Sequence, residues 1–372
     1  MNTQITLQHQ GLDCPLGDGQ TAYFNYFWLR DNCPTSFDSN TRERVFDVFG
    51  LGQPPRPERA DISADALEIR WQGEEHVSRH PLSFLRAHTA PGPRRDVADL
   101  SRKLWYGDHY PDIRRFSQPA LMSDPAQVKD WARTLLEEGV AIITDMPGDK
   151  EGLANTAGLL GYIRASFFGD YFDVKTHINP TNLAFTAKAL EMHTDLPAED
   201  LAPGIQYLHC IANTVEGGNS LFLDGAALAE DFRLSNPEDF ELLASTDIPF
   251  YCEHEKFDMR ARQRVIELDR YGAVSGLTIS GHLADVFDLS QDYLDRFYPA
   301  YWRFGQLLTD PKYLMRFRLN AGECIVFDNH RIVHGREGYT ASSGDRHLRG
   351  CYTDRGELRS TYRALSNKGE TA

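Results

Sequence analysis

Between Asp124 and Glu138 the apolar residues Val128, Trp131, Ala132, Leu135 and Leu136 recur at helical spacing, so the pattern predicts a helix with one buried stripe. Both ends are marked. Asp124 is suited to accept from the first free N–H groups, Pro125 fills a position where an N–H would have no intrahelical partner, and Gly139 closes the helix. The apolar run Val140-Ala141-Ile142-Ile143 then reads as a strand buried on both faces. A weaker helical pattern from Asn155 to Arg164 leads into an aromatic segment, Phe167 to Phe172.

Elsewhere the apolar pattern is that of strands. β-Branched and aromatic runs separated by Gly, Pro and Asn occupy Tyr23 to Leu29, Val45 to Val48 and Leu67 to Trp71, and similar runs recur at Ile205 to Ile211 and Glu323 to Phe327. Turn-formers and charge gather from Thr89 to Asp96, so a linker there separates a small N-terminal β domain, residues 1–95, from a larger domain, residues 96–372. Many strands with few crossovers predict a mostly β protein with helices, the larger domain being a double-stranded β-helix, or jelly roll. No internal repeat or low-complexity tract interrupts this organisation, and the polar tail beyond Arg363 is expected to fray.

At 372 residues and 41% hydrophobic composition, the chain can build one large core and a small accessory domain. A formal net charge of −15 without a basic cluster argues against nucleic acid or an anionic membrane as a partner, since both demand concentrated Lys and Arg. The start, Met1-Asn2-Thr3-Gln4-Ile5-Thr6-Leu7, lacks the blocks of a secretory signal, and no run approaches the ~20 apolar residues that span a bilayer; a cytoplasmic protein is expected. Cys14, Cys33, Cys210, Cys252, Cys324 and Cys351 are scattered without CxxC spacing, which predicts buried reduced thiols rather than a disulfide framework.

The candidate chemistry lies in Met192-His193-Thr194-Asp195-Leu196-Pro197. On an extended segment an imidazole and a carboxylate two residues apart point the same way, and one distant histidine would complete three ligands on one face of an octahedral metal. Phe327-Asp328-Asn329-His330-Arg331-Ile332-Val333-His334-Gly335-Arg336 offers two such histidines, His330 and His334. Two imidazoles with one carboxylate suit Fe(II), because a third histidine would favour zinc hydrolysis chemistry and a thiolate set structural zinc. Three positions stay open, enough for a bidentate co-substrate and dioxygen.

The segment from Asn182 through Gly225, with Gly217-Gly218-Asn219-Ser220, and the segment from Phe327 through Tyr352 together resemble the Fe(II)/2-oxoglutarate dioxygenases of the taurine dioxygenase superfamily. Most of the chain, including Trp28-Leu29-Arg30-Asp31-Asn32-Cys33-Pro34, resembles more closely the γ-butyrobetaine hydroxylase and trimethyllysine dioxygenase family. The resemblance implies that His193, Asp195 and His334, the last in its His-Gly-Arg context, hold Fe(II). It implies that Arg346 binds the distal carboxylate of 2-oxoglutarate through two parallel hydrogen bonds, with Ser220 near the co-substrate. The implied reaction is hydroxylation coupled to oxidative decarboxylation of 2-oxoglutarate. Arg336 and Arg349 are as readily explained by ion pairing.

Matched residue by residue, the family's aromatic cage for a trimethylammonium group falls on Phe168, Phe172, Phe185 and Tyr352. Three of these are Phe where the family carries mainly Tyr and Trp, so cation–π capacity survives while the phenol hydrogen bonds are lost. Asn182 matches an asparagine that helps hold the anionic end of γ-butyrobetaine. The partner asparagine is missing, because that region reads Thr278-Ile279-Ser280-Gly281-His282, with Gly281 or Ser280 at the position. The gap would enlarge the anionic end of the pocket and favours 2-(trimethylamino)ethylphosphonate over γ-butyrobetaine; a non-catalytic cupin-like metabolite-binding protein is the alternative of another class. The family's structural zinc site is reduced to Cys33 and His76, so no structural zinc is expected, and the small domain relies on its apolar core or on a homodimer partner. The remaining expected partners are a small zwitterionic substrate, 2-oxoglutarate and dioxygen.

Overall fold

In the computed structural model, which describes residues 4–17, 19–63, 65–90, 92, 96–175, 186–254 and 256–367, the signals at Asp124 and Gly139 enclose a helix, Pro125–Glu138. The Asp124 side chain accepts from the Ala126 N–H, and Gly139 ends the helix in the left-handed region at φ 77°. The chain divides into two compact units, Met1–Arg95 and Asp96–Ala372.

The smaller unit holds two three-stranded antiparallel sheets, one of Thr6–Leu7, Gly11–Pro15 and Thr21–Asn25, the other of Pro57–Ile62, Ala66–Trp71 and Val77–Pro81. Leu12, Phe24, Leu29, Leu67, Ile69 and Trp71 form its core, and the Trp71 indole N–H donates to Ser78 Oγ at 2.8 Å. The run from Tyr23 to Leu29 is a strand only as far as Asn25, whose side chain accepts from the Trp28 N–H and starts a helix, Tyr26–Asp31. Val45 to Val48 is likewise no strand. Asp47 accepts from the Phe49 N–H and turns the chain into a short 3₁₀ helix, Val48–Gly50. Cys33 is buried with its Sγ 3.1 Å from Thr35 Oγ1, while His76 Nε2 lies 3.2 Å from Ser78 Oγ.

The strands of the two main sheets of the larger unit are numbered β1 (Arg115–Ser117), β2 (Val140–Thr144), β3 (Phe172–Val174), β4 (Leu190–His193), β5 (Ile205–Asn213), β6 (Ser220–Asp224), β7 (Met315–Phe317), β8 (Cys324–Asp328), β9 (Ile332–Arg336) and β10 (Arg346–Thr353). Six of them form a sheet in the order β1-β2-β8-β5-β10-β3 and four a second sheet, β4-β9-β6-β7. Val140 and Ile142 of β2, Ile325 and Phe327 of β8, Phe222 of β6 and Ile332 of β9 share one core, so the two sheets pack face to face. The alternate residues Ala141 and Ile143, with Tyr207 and Val326, pack instead on Trp131 and Leu135 of the Pro125–Glu138 helix and on Leu358 and Tyr362. On the far side of the smaller sheet, Leu223 and Val333 meet Phe232, Phe240, Phe297 and Phe304 from three further helices, Gly225–Ser235, Pro237–Ser245 and Gln291–Leu307. No helix among the described residues is long and apolar enough to cross a membrane.

Two expectations shift. The helix placed at Asn155 to Arg164 lies earlier, Lys150–Gly158, because Asp149 supplies the cap by accepting from the Gly152 N–H. The tail does not fray at Arg363; a helix, Arg355–Asn367, continues to Asn367, with Leu358 and Tyr362 buried and the Arg363 guanidinium paired to Asp96.

His209, on β5 opposite Cys324 and Arg349, is fully buried with no hydrogen-bond partner at either ring nitrogen among the described residues. Burial, reinforced by Arg349, drives its pKa from 6.5 down to about 4. The unfolded chain therefore takes up this proton first, so stability is fullest above about pH 6.5 and declines as the pH falls toward 4. In urea titrations at about pH 7.5 and about pH 5, His209→Phe should lose less stability on acidification than the parent protein. Equal losses would contradict this account.

Candidate metal centre and its cavity

β4 pairs with β9 in the register that sets His193 directly opposite His334, and β6 flanks β9 on its other side with Phe222 opposite His334. Residues opposite each other on neighbouring strands project to the same face, so the two imidazoles meet, with ring centroids 4.4 Å apart. The chain then leaves β4. Thr194 donates its N–H to Ile279 O at 2.7 Å and accepts from the Ile279 N–H at 3.1 Å, which pins the exit and swings Asp195 toward the histidines. Asp195 Oδ1 comes to lie 3.1 Å from His193 Nε2 and 3.7 Å from His334 Nε2. Ligand atoms of these three residues lie within 4.8 Å of one another, and among the described residues no other group of three or more His, Cys, Asp or Glu side chains converges in this way. His330 Nε2 points elsewhere, to Ala202 O at 3.0 Å.

The protonation states suit a cation. His193 Nδ1 lies 2.8 Å from Glu191 O, a backbone carbonyl that accepts its N–H, and Nε2 faces Asp195 Oδ1. Burial, with the neighbouring His193, pushes His334 down to about 3, so this imidazole is neutral. Burial alone would raise the Asp195 carboxyl, but the hydrogen bond from His193, the field of His334 and the Tyr352 hydroxyl hold it well below the usual carboxylate range. A carboxylate flanked by two imidazoles is the donor set that the metal requires.

Asp195 is held at its backbone N–H, its carbonyl and one carboxylate oxygen. Its Oδ2 accepts from Gln206 Nε2 at 2.7 Å and from the Tyr352 hydroxyl at 2.8 Å. Its backbone is clamped by one buried carboxamide: Asn329 Oδ1 accepts from the Asp195 N–H at 2.7 Å, and Asn329 Nδ2 donates to Asp195 O and to Pro203 O, both at 3.0 Å. Next to the clamp Leu196 sits at φ 58°, a left-handed conformation that costs a branched side chain of order 1–3 kcal/mol.

One cavity collects these groups. His193, Asp195, His334, Arg346, Ser220, Phe168, Phe172 and Tyr352, each singled out in the sequence, all line it. Arg346 opens β10 and is buried, with Nε and Nη1 lacking a hydrogen-bond partner among the described residues; burial and the nearby Arg336 lower its pKa to about 10, which leaves it charged at neutral pH. Ser220 begins β6 and is buried opposite Arg336 and Phe317. The Phe168 and Phe172 rings are 5.8 Å apart, and Phe172 stacks on Tyr352 at 5.1 Å. Arg336 is buried too, donating to Thr186 O and Lys188 O, whereas Arg349 pairs with Asp173.

Gly281 is not among the lining residues. It is exposed, and a Cβ there would meet only the Glu191 carboxylate at 3.8 Å; its neighbour His282 lines the cavity instead, edge-on to His193. Asn182 and Phe185 lie outside the described residues. Sequence reasoning missed Gln206, His282 and Asn329. Gln206 carried a signal, being the polar residue at an inward position of the apolar run Ile205 to Ile211.

A two-imidazole, one-carboxylate face between two facing sheets, with an unspent buried guanidinium in the same cavity, defines a non-haem iron oxygenase that uses an anionic co-substrate. The sequence pattern described as "Taurine catabolism dioxygenase TauD, TfdA family" matches residues 97–352. Gamma-butyrobetaine dioxygenase from Pseudomonas sp. (strain AK-1) is 33% identical over 354 residues, spanning 94% of this chain and 92% of that one. The human gamma-butyrobetaine dioxygenase is 29% identical over 95% of this chain and 94% of its own, and the trimethyllysine dioxygenase of Meyerozyma guilliermondii 25% identical over 94% and 92%. Among solved structures, a putative alpha-ketoglutarate-dependent taurine dioxygenase from Burkholderia xenovorans superposes with a TM-score of 0.50 at 15% identity, covering 63% of this chain and 85% of that one. AAD-2, solved with Mn(II) and N-oxalylglycine, gives 0.51 at 15% identity over 62% and 89%. The chain belongs to the TauD/TfdA family, in the branch of the γ-butyrobetaine and trimethyllysine dioxygenases, and is an Fe(II)/2-oxoglutarate-dependent dioxygenase.

Asn329→Ala removes both halves of the backbone clamp and leaves buried partners unsatisfied, at about 1–3 kcal/mol. Fe(II) affinity, measured anaerobically by competition with a chelator, should fall by about tenfold or more while the fold is kept. Unchanged affinity in a folded Asn329→Ala protein would remove the clamp from the account of the metal centre.

Proposed function

We propose that the chain hydroxylates a small trimethylammonium compound with an anionic head, with His193, Asp195 and His334 holding Fe(II) and Arg346 binding the distal carboxylate of 2-oxoglutarate. We read the two facing sheets as a double-stranded β-helix and the unit Met1–Arg95 as a small accessory β domain. The observation that carries the reading is one cavity in which the converging ligand set, the buried guanidinium with unspent donors and a row of aromatic rings meet. Iron in that position, with 2-oxoglutarate, supplies the oxidising power that places one atom of dioxygen on a substrate carbon and leaves succinate and carbon dioxide. The chain's own part is to bind, orient and exclude water.

Arg346 suits the co-substrate because a buried cation with unpaired N–H groups demands an anion, and a planar guanidinium meets a carboxylate through two parallel bonds. Ser220 lines the same cavity. Phe168, Phe172 and Tyr352 suit a quaternary ammonium, which cannot donate N–H hydrogen bonds and is held by aromatic faces instead. The resemblance in sequence assigns Phe185 to the same cage and Asn182 to the anionic head. The absent asparagine at Ser280-Gly281, a reading of the sequence alone because Gly281 does not line the cavity, favours 2-(trimethylamino)ethylphosphonate. A second reading, γ-butyrobetaine, is favoured by the 33% identity to the Pseudomonas enzyme across 94% of this chain.

Succinate formation with 2-(trimethylamino)ethylphosphonate, its dimethyl and primary-amine analogues, and γ-butyrobetaine tests both ends of the substrate. Activity should fall as methyl groups are removed, since each cation–π contact contributes about 0.5–2 kcal/mol and a less substituted amine is better hydrated. Preference for the primary amine would eliminate the cage, and preference for γ-butyrobetaine would select the second reading.

Arg346→Ala should raise the 2-oxoglutarate requirement about tenfold or more, the loss of a charge-assisted pair. An unchanged requirement would move the carboxylate site elsewhere.

A further inference from the structure

We propose that Tyr352 is a positioning residue that ties the substrate wall of the cavity to the metal-binding carboxylate. It stands on β10 directly opposite Gln206 on β5, and the two side chains converge on the same atom, Asp195 Oδ2. The other oxygen, Oδ1, faces His193 and His334. The carboxylate thus has one oxygen committed to hydrogen bonds and one left for the metal. Gln206 and Tyr352 are 1% and 2% exposed, so neither donor is exchanged for water.

The same tyrosine ring closes the aromatic row, stacked on Phe172 with an interplanar angle of 27°. This half of the argument rests on the proposed function, in which that row receives the trimethylammonium group. A cage needs only the ring, as Phe168 and Phe172 illustrate, yet position 352 keeps a phenol. Its hydroxyl is spent on Asp195 and is not free for the substrate. A molecule that presses on the row therefore presses on a donor to the metal-binding carboxylate. Without that donor, Oδ2 is restrained by Gln206 alone and Asp195 can turn to offer both oxygens.

The test uses the iron-loaded enzyme with 2-oxoglutarate and whichever of 2-(trimethylamino)ethylphosphonate and γ-butyrobetaine the parent protein turns over. Substrate affinity is read from the change in visible absorption on adding it anaerobically, and coupling from succinate formed per hydroxylated product. Tyr352→Phe keeps the ring, so affinity should stay within about twofold while succinate per product rises severalfold. Phe172→Leu should do the reverse, weakening affinity by about tenfold with coupling kept. Gln206→Met, which removes the other donor to Oδ2, should uncouple like Tyr352→Phe and stands in for it if that variant does not fold. Coupling unchanged in the folded donor variants, or Tyr352→Phe losing affinity with coupling intact, would overturn the proposal. Should the parent protein respond to neither compound, the substrate reading fails by itself. The link to Asp195 is then decided by Fe(II) affinity, expected to fall roughly tenfold in Tyr352→Phe and refuted if equal.

Discussion

Side chains on a strand alternate between faces, so a slip of β4 by one residue against β9 would turn His193 away from His334 and dissolve the candidate metal centre. Apolar burial around the pairing, of Met192 beside His193 and of β9 on both faces, opposes such a slip. β9 is buried along its whole length, with Val333 sealed under the helices on one side and Ile332 in the core between the sheets on the other. The same one-residue shift made by β9 would drive His334 into hydrocarbon and Val333 into the cavity. The metal site is thus specified by apolar burial on both faces of one strand rather than by attraction among its polar members.

The third ligand comes from outside the ladder and needs its own restraint. Asp195 lies just past β4, where the Ile279 backbone holds Thr194 and the Asn329 carboxamide holds the Asp195 peptide groups. Those bonds sustain the left-handed Leu196, a strain the loop would otherwise release. The buried guanidinium of Arg346 is a second stored imbalance in the same cavity, because two of its donors have no partner among the described residues. Both features fit a site shaped in advance for its ligands.

Legibility in the sequence followed the range of the forces involved. The helix Pro125–Glu138 and the strand after it were readable because caps and periodicity are local, and the same locality made Leu67 to Trp71 a strand. The helix near Asn155 was misplaced because its cap, Asp149, lies ahead of a weak apolar stripe, and Tyr23 to Leu29 was overextended because Asn25 captures the next N–H groups for a helix. His193, Asp195 and Arg346 stood out through motif and resemblance. Gln206, Asn329 and His282 did not, since each owes its place to a partner 11, 134 or 89 positions away, respectively Asp195, Asp195 and His193. The hydroxyl of Tyr352 is the sharpest case: resemblance marked the ring, and only the cross-strand pairing with Gln206 reveals what the oxygen touches.

Iron bound per chain after anaerobic reconstitution tests the central claim most directly. The parent protein and His330→Ala should each hold about one Fe(II), and His193→Ala, Asp195→Ala and His334→Ala should each hold little, because two ligands of a facial set bind too weakly to survive desalting. A folded His334→Ala protein that retains its iron, or a His330→Ala protein that loses it, would contradict the account.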